Sequence, residues 1–191
     1  MTTTVRDLLL DQAAFYWDAH LWPRLQGLTD DEYLWEPAER CWSLRAGDDG
    51  VVRVETEVPE PTPPPVTTIA WRTAHLGRDV WGARARALFG PTAAPPEADM
   101  FDPRHWPDPL PLTAAGGLDL LRQGWTLWRE QLERLDDEAL LRPLGPRGGW
   151  FADDSLAALV AHLNREAMAH GAEICLLRDL HREHRAGTLH P

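Results

Sequence analysis

The chain of 191 residues has the length of one domain with a substantial core, and its formal net charge of −11 repels phosphate backbones. No dense arginine cluster offsets that field, so no nucleic-acid partner is expected. All 19 basic residues are arginine, which excludes Schiff-base lysine chemistry and a phosphate-loop lysine.

At the start, "MTTTVRDLLLDQ" has no basic stretch followed by an apolar run, so no signal peptide is expected. A first helix is predicted from about Thr4 to Leu25, with Val5, Leu8, Leu9, Gln12, Phe15, Tyr16, Ala19 and Trp22 at helical spacing. Residues 41–58, "CWSLRAGDDGVVRVETEV", carry a Gly-Asp-Asp-Gly turn between alternating apolar positions and predict a small hairpin. After the proline-rich "PEPTPPP", a second helix spans about Thr67 to Phe89, its stripe formed by Ile69, Thr73, Leu76, Val80, Ala83 and Ala87. The next stretch, "GPTAAPPEADMFDPRHWPDPLPL", is too rich in proline for regular structure. A connection that long inside a domain is expected to cross over or to cover a site.

The third helix, about Ala114 to Leu135, places Leu118, Leu121, Trp125, Trp128, Leu132 and Leu135 in three-four alternation, the seam of a nearly antiparallel bundle. The fourth opens at Asp153, Asp154 and Ser155, good capping chemistry, and continues to about His184. Its inner face is Leu156, Leu159, Val160, Leu163, Ala167, His170, Ile174 and Leu177. A short internal repeat relates "LQGLTDDEYLWEP" after the first helix to "LERLDDEALLRP" after the third, each an Asp-Asp-Glu opening a helical turn before a proline. The expected fold is all-α: a single domain over residues 1–191, built as a four-helix bundle with a crossover between its second and third helices. Cys41 and Cys175 form no paired motif and suit a reducing compartment. No uncharged apolar run approaches the roughly 18 residues of a membrane span, so a soluble, cytoplasmic protein without a membrane partner is expected.

The chemistry concentrates in "LVAHLNREAMAHGAEICLLRDL". Residues four apart share a helix face, so His170 falls inside the apolar stripe and Glu166 roughly 40° round, at its edge. An inward carboxylate and imidazole are costly unless paired, and both are ordinary ligands of divalent ions. The alternative is a Glu166–arginine pair beside a satisfied core histidine. A third ligand would come from His75 in "IAWRTAHLGRDVW", on the face shared with Trp71 and Gly82, beside the stripe. His162 is the rival, but it lies eight residues from His170, about 12 Å along the axis. Arg72, Arg165 and His20 are candidate substrate-binding residues, the arginines suited to an anionic group. Ten tryptophans supply core filling or cavity walls.

"PRLQGLTDDEYLWEP", "CWSLR", "PPPVTTIAWRTAHL" and "LNREAMAHGAEICLLRDL", in that order, resemble the DinB-like (DinB/YfiT-like) superfamily of metalloenzymes over nearly the whole chain. The resemblance implies a four-helix bundle and one divalent metal ion held by a histidine of the second helix and two ligands four apart on the fourth. Those positions are His75, Glu166 and His170. Many members have histidine where this chain has Glu166; the glutamate form is similar to the mycothiol-dependent maleylpyruvate isomerase branch, which favours zinc over nickel, iron or manganese. The histidine that members often carry before the last ligand is Ala169 here.

Three protein ligands leave room for water or substrate, the catalytic pattern. The branch resemblance implies a low-molecular-weight thiol as co-substrate, in S-transfer or thiol-assisted isomerisation of a small molecule. Metal-dependent hydrolysis on the same site, or a non-enzymatic bundle that binds a small ligand or partner, are the other readings. Apolar helix faces also make a homodimer an expectation.

Overall fold

Four long helices pack around one core in the computed structural model, which describes residues 3–106 and 109–188. With 60% of the structure helical and 5% in strands, the expected all-α class holds. Helix α1 runs as Val5–Phe15, a π-helical Tyr16–Leu21 and Trp22–Leu25. The short α2 is Asp30–Tyr33, and strands β1 (Leu44–Ala46) and β2 (Val52–Val54) pair antiparallel as the predicted hairpin. Helix α3 runs as Ile69–Ala74, a π-helical His75–Ala83 and Arg84–Phe89. Helix α4 (Ala114–Glu133), the short α5 (Asp137–Leu141) and α6 (Leu156–Arg185) complete the chain. Helix α3 contacts α4 and α6, and α1 contacts the same two. Of the expected connection between the second and third long helices, Pro107 and Asp108 lie outside the described residues. The remainder holds a single 3-10 turn, Pro103–His105.

The predicted stripes of α3, α4 and α6 are largely the buried ones, but that of α1 is not. Leu8 and Phe15 are exposed, and the core is met by Ala13, Trp17, Leu21 and Leu25. Leu8 and Phe15 lie in the regular α-helical part, whose inward face carries Leu9, Leu10 and Ala13; from Tyr16 on, the π-helical turn is wider than 3.6 residues and sets the buried Trp17, Leu21 and Leu25 four apart. Trp17 stacks on Trp125 at 5.5 Å and meets Trp81 edge-on at 5.7 Å, tying α1, α4 and α3 together through aromatic packing.

The internal repeat has a structural job. Both Asp-Asp-Glu segments form short helices, one capped by Thr29 and the other by Asp136. Asp30 accepts a hydrogen bond from the Ala114 backbone N–H at 2.7 Å, at the start of α4. Asp137 accepts from the Val5 and Arg6 N–H groups at 3.0 and 2.9 Å, at the start of α1. Each excursion thus places a carboxylate on the orphan donors of a long helix from the other half of the chain, which also suits the helix dipole.

Helices α3 and α4 cross at two glycines. A Cβ on Gly124 would lie 2.0 Å from the Gly77 carbonyl oxygen, and one on Gly77 would lie 2.8 Å from the Leu121 Cα. Backbone cannot give way as a side-chain tip can. Gly124→Ala is therefore expected to lower unfolding free energy by about 1–3 kcal/mol or more, read by urea denaturation; a change under about 0.5 kcal/mol, the scale of an ordinary surface substitution, would contradict this close approach.

Candidate metal centre

His75 opens the π-helical segment of α3, and Glu166 and His170 lie one turn apart on α6. Thr68 caps α3 by accepting from the Trp71 N–H at 3.2 Å, and its own hydroxyl meets Ser43 at 2.9 Å. Trp42 forms a bridge to Thr67 and stacks on Trp71 at 6.1 Å. Trp71 donates its indole N–H to the Glu55 carbonyl and stacks on His75 at 5.1 Å. The hairpin excursion thus fixes the first turn of α3, and through Trp71 the His75 ring.

One ligand atom from each of His75, Glu166 and His170 lies within 4.8 Å of the other two. Glu166 Oε2 is 3.1 Å from His170 Nε2 and 3.9 Å from His75 Nε2. Bonds of about 2.0–2.1 Å to a small divalent ion imply donors roughly 3.0–3.4 Å apart, so a side-chain adjustment under about 1 Å suffices. The other nitrogen of each imidazole faces a carboxylate: Asp79 Oδ2 lies 3.5 Å from His75 Nδ1, and Glu173 Oε2 lies 2.8 Å from His170 Nδ1. That arrangement favours Nδ1–H tautomers and leaves Nε2 lone pairs on the Glu166 side, as metal-binding histidines require.

Arg72 belongs to this group. Its Nε lies 2.9 Å from Glu173 Oε2, and its Nη1 lies 3.0 Å from His170 Nδ1. One Nδ1 cannot both donate to Glu173 and accept from Arg72. The ring has two states: Nδ1–H on Glu173 with Nε2 free, or Nδ1 accepting from Arg72 with Nε2–H on Glu166. The first is the metal-ready one. His162 lies across Glu166, its Nδ1 3.9 Å from Oε1, and Arg165 Nη2 lies 3.0 Å from the same His162 nitrogen. His20 is exposed and its ring contacts are with Phe15 and Tyr16, outside this group.

The electrostatics follow from the geometry. His75 holds the Glu166 carboxyl down at about 2, against the opposing effect of burial, with His170 and His162 adding to the shift. At 3.9 Å the His75 contact acts through charge more than through a hydrogen bond. Burial pushes the His75 imidazole down, but Asp79 and Glu166 outweigh it and hold it above its ordinary value. Burial likewise pushes Asp79 up, while His75 and Arg78, whose Nε lies 2.7 Å away, hold it below the usual carboxylate range.

Asp79 and Glu173 are the members of this group that the sequence reading missed. Their signal was available: a carboxylate four residues after one ligand histidine and three after the other.

A family model of the DinB superfamily matches residues 17–174, a span that contains His75, Glu166 and His170, the three candidate ligands. The match identifies the superfamily and not a branch within it. No curated protein and no solved structure matches the chain.

Asp79→Asn and Glu173→Gln are each expected to weaken zinc affinity by about 10–100-fold, measured by competition with a chelator. Affinity should rise with pH through the raised His75 value, since the ion displaces a proton from an imidazole held protonated below that pH, by about one log unit per pH unit for each proton released. Glu166 stays ionised to about pH 2, so loss of metal above that pH reports the imidazoles. A pH-independent affinity from pH 5 to 8 would contradict this assignment.

Proposed function

The chain belongs to the DinB superfamily, and from that premise we propose a metal-dependent enzyme whose ion is held by His75, Glu166 and His170 and whose co-substrate is a low-molecular-weight thiol. The observation that carries the reading is the pair of imidazoles buttressed by carboxylates at Nδ1, with both Nε2 atoms on the Glu166 side. Two imidazoles and a carboxylate suit zinc, which the resemblance to the isomerase branch favours, and also nickel, iron or manganese. A bound divalent ion supplies Lewis acidity that favours the thiolate over the thiol. His75 and His170 donate nitrogen lone pairs, Asp79 and Glu173 hold the rings in the donating tautomer, and Arg72 anchors Glu173. His162, on the outer oxygen of Glu166, is placed to exchange a proton with a group arriving beside that carboxylate. The reaction is S-transfer to, or thiol-assisted isomerisation of, a small electrophile.

Protein purified without a histidine tag is expected to carry about one equivalent of divalent metal after zinc reconstitution, and His170→Ala to lose it, with an affinity drop larger than the roughly 10–100-fold of the buttressing variants. Consumption of an electrophile should need both the metal and added thiol. Turnover with metal alone would favour hydrolysis, and absence of metal from the reconstituted parent protein would overturn the enzyme reading.

A further inference from the structure

A cleft of about 500 Å³ lies beside the ligand cluster without including any of the three ligands. Met100, Phe101, Leu144, Phe151, Leu159 and Leu163 give it apolar walls, drawn from α6, the long connection after α3 and the turn after α5. Its polar lining is Arg84, His162, Arg165 and Asp154. The volume is that of a small-molecule site, and apolar walls with a few placed polar groups are the usual composition of one.

Arg84 is the unusual member. Its Nη1 donates to the backbone carbonyl of Asp79, its Nε is buried with no hydrogen-bond partner, and its guanidinium lies 4.8 Å from the centre of the Phe101 ring. No carboxylate forms an ion pair with it among the described residues. Burial lowers its basicity, while Asp79, Asp99 and Glu166 act from a distance to raise it. A partly buried guanidinium stays charged, and leaving it without a counter-ion in apolar surroundings is costly. The larger open cleft of about 610 Å³ toward the C-terminal end of α6 shows the contrast. There Arg24 and Arg182 meet Asp179 at 2.7 and 3.0 Å, and Arg178 meets Glu32 at 3.0 Å, so its principal cations are already neutralised.

We propose that the 500 Å³ cleft binds a small carboxylate with an apolar body, its charge on Arg84 and its hydrocarbon part against Phe101, Phe151 and Leu159. Arg165 and His162 stand on the α6 side, Arg165 against His162 and His162 facing Glu166 at 3.9 Å, so the bound molecule lies next to the ligand cluster. Asp154 in the lining and the net charge of −11 disfavour a phosphate dianion in the same place. This deepens the reading above by naming a substrate class, and rests on it only for the fate of the bound molecule, not for its binding.

The test is calorimetric titration of the full-length chain, metal-free and zinc-loaded, with 3-phenylpropionate, the uncharged 3-phenylpropanamide and phenyl phosphate. The carboxylate is expected to bind both forms, with the amide weaker by about tenfold or more. Arg84→Met should weaken the carboxylate by a similar factor. Because Arg84 also bonds the Asp79 carbonyl, Ala158→Trp is the second variant. Ala158 is an exposed lining residue, and its enlargement should block binding while leaving thermal unfolding close to that of the parent. Equal affinity for acid and amide, tighter phenyl phosphate, or undiminished binding in a folded Ala158→Trp would overturn the proposal. Carboxylate binding by a protein that takes up no zinc would uphold the cleft and sink the enzyme reading; zinc uptake without carboxylate binding would do the reverse.

Discussion

A carboxylate set between two imidazoles from different helices is the constraint on which the surrounding structure depends. Glu166 faces His75 and His170, and each imidazole carries a second carboxylate at its far nitrogen. The two outer carboxylates have arginines of their own: Arg78 on Asp79 at 2.7 Å and Arg72 on Glu173 at 2.9 Å. Charge therefore balances at the periphery and leaves Glu166 as the centre of negative potential. Either an imidazolium or a bound cation satisfies it. The raised His75 value is the protonated answer, and a divalent ion competes for the same place.

Holding two helices so that three short side chains converge requires backbone precision that side-chain packing alone does not supply. Helix α3 is fixed on one side by the glycine crossing with α4 at Gly77 and Gly124. At its start it is fixed by Thr68, Trp42 and Trp71, and on the remaining side by α6 itself. The π-helical run from His75 to Ala83 widens the turn, so that Gly82 comes over Gly77 and its missing Cβ makes room for the Trp106 ring. That ring lies on the long connection, which is thereby seated against the ligand-bearing helix and carries Met100 and Phe101 into the cleft. The hairpin and the connection, both marginal as independent structures, matter because they fix α3 and wall the cleft.

Helix positions, the hairpin and the paired Asp-Asp-Glu turns were legible in the sequence because each rests on local rules: apolar period, turn glycines, capping residues. The α1 face was not: before Tyr16 the large Leu8 and Phe15 outweigh the small buried Ala13 as apolar signals, and beyond it a π-helical stretch obeys a different period that no residue of "FYWDAHLW" announces. The ligand positions were legible in part. His170 and Glu166 stand out as polar residues at a core stripe, whereas His75 sits beside its stripe, where periodicity does not mark it, and was preferred to His162 because His162 lies too far from His170 along the helix. Asp79 and Glu173 look like ordinary surface acids until the rings they touch are placed. Arg84 carried no sequence signal at all. What distinguishes it among the described arginines is a buried Nε without a hydrogen-bond partner combined with the lack of a carboxylate ion pair, a property of the tertiary structure.

The same donor set bears on whether a thiol or a water is the group activated. Glu166 brings a formal negative charge to the ligand shell, and Asp79 and Glu173 raise the basicity of both imidazoles. Each effect tempers the acidity a bound cation can exert. Water starts from a pKa of about 15.7 and needs a shift of many units to ionise near neutrality. A thiol starts near 8.5 and needs only one or two. Two imidazoles and a carboxylate are nonetheless also the zinc ligands of metallohydrolases, so the donor set by itself suits either nucleophile. What bears on the choice is the apolar wall beside it, because a diffuse thiolate is less costly to desolvate than a compact hydroxide. That wall comes from residues of this chain rather than from the identity of the metal.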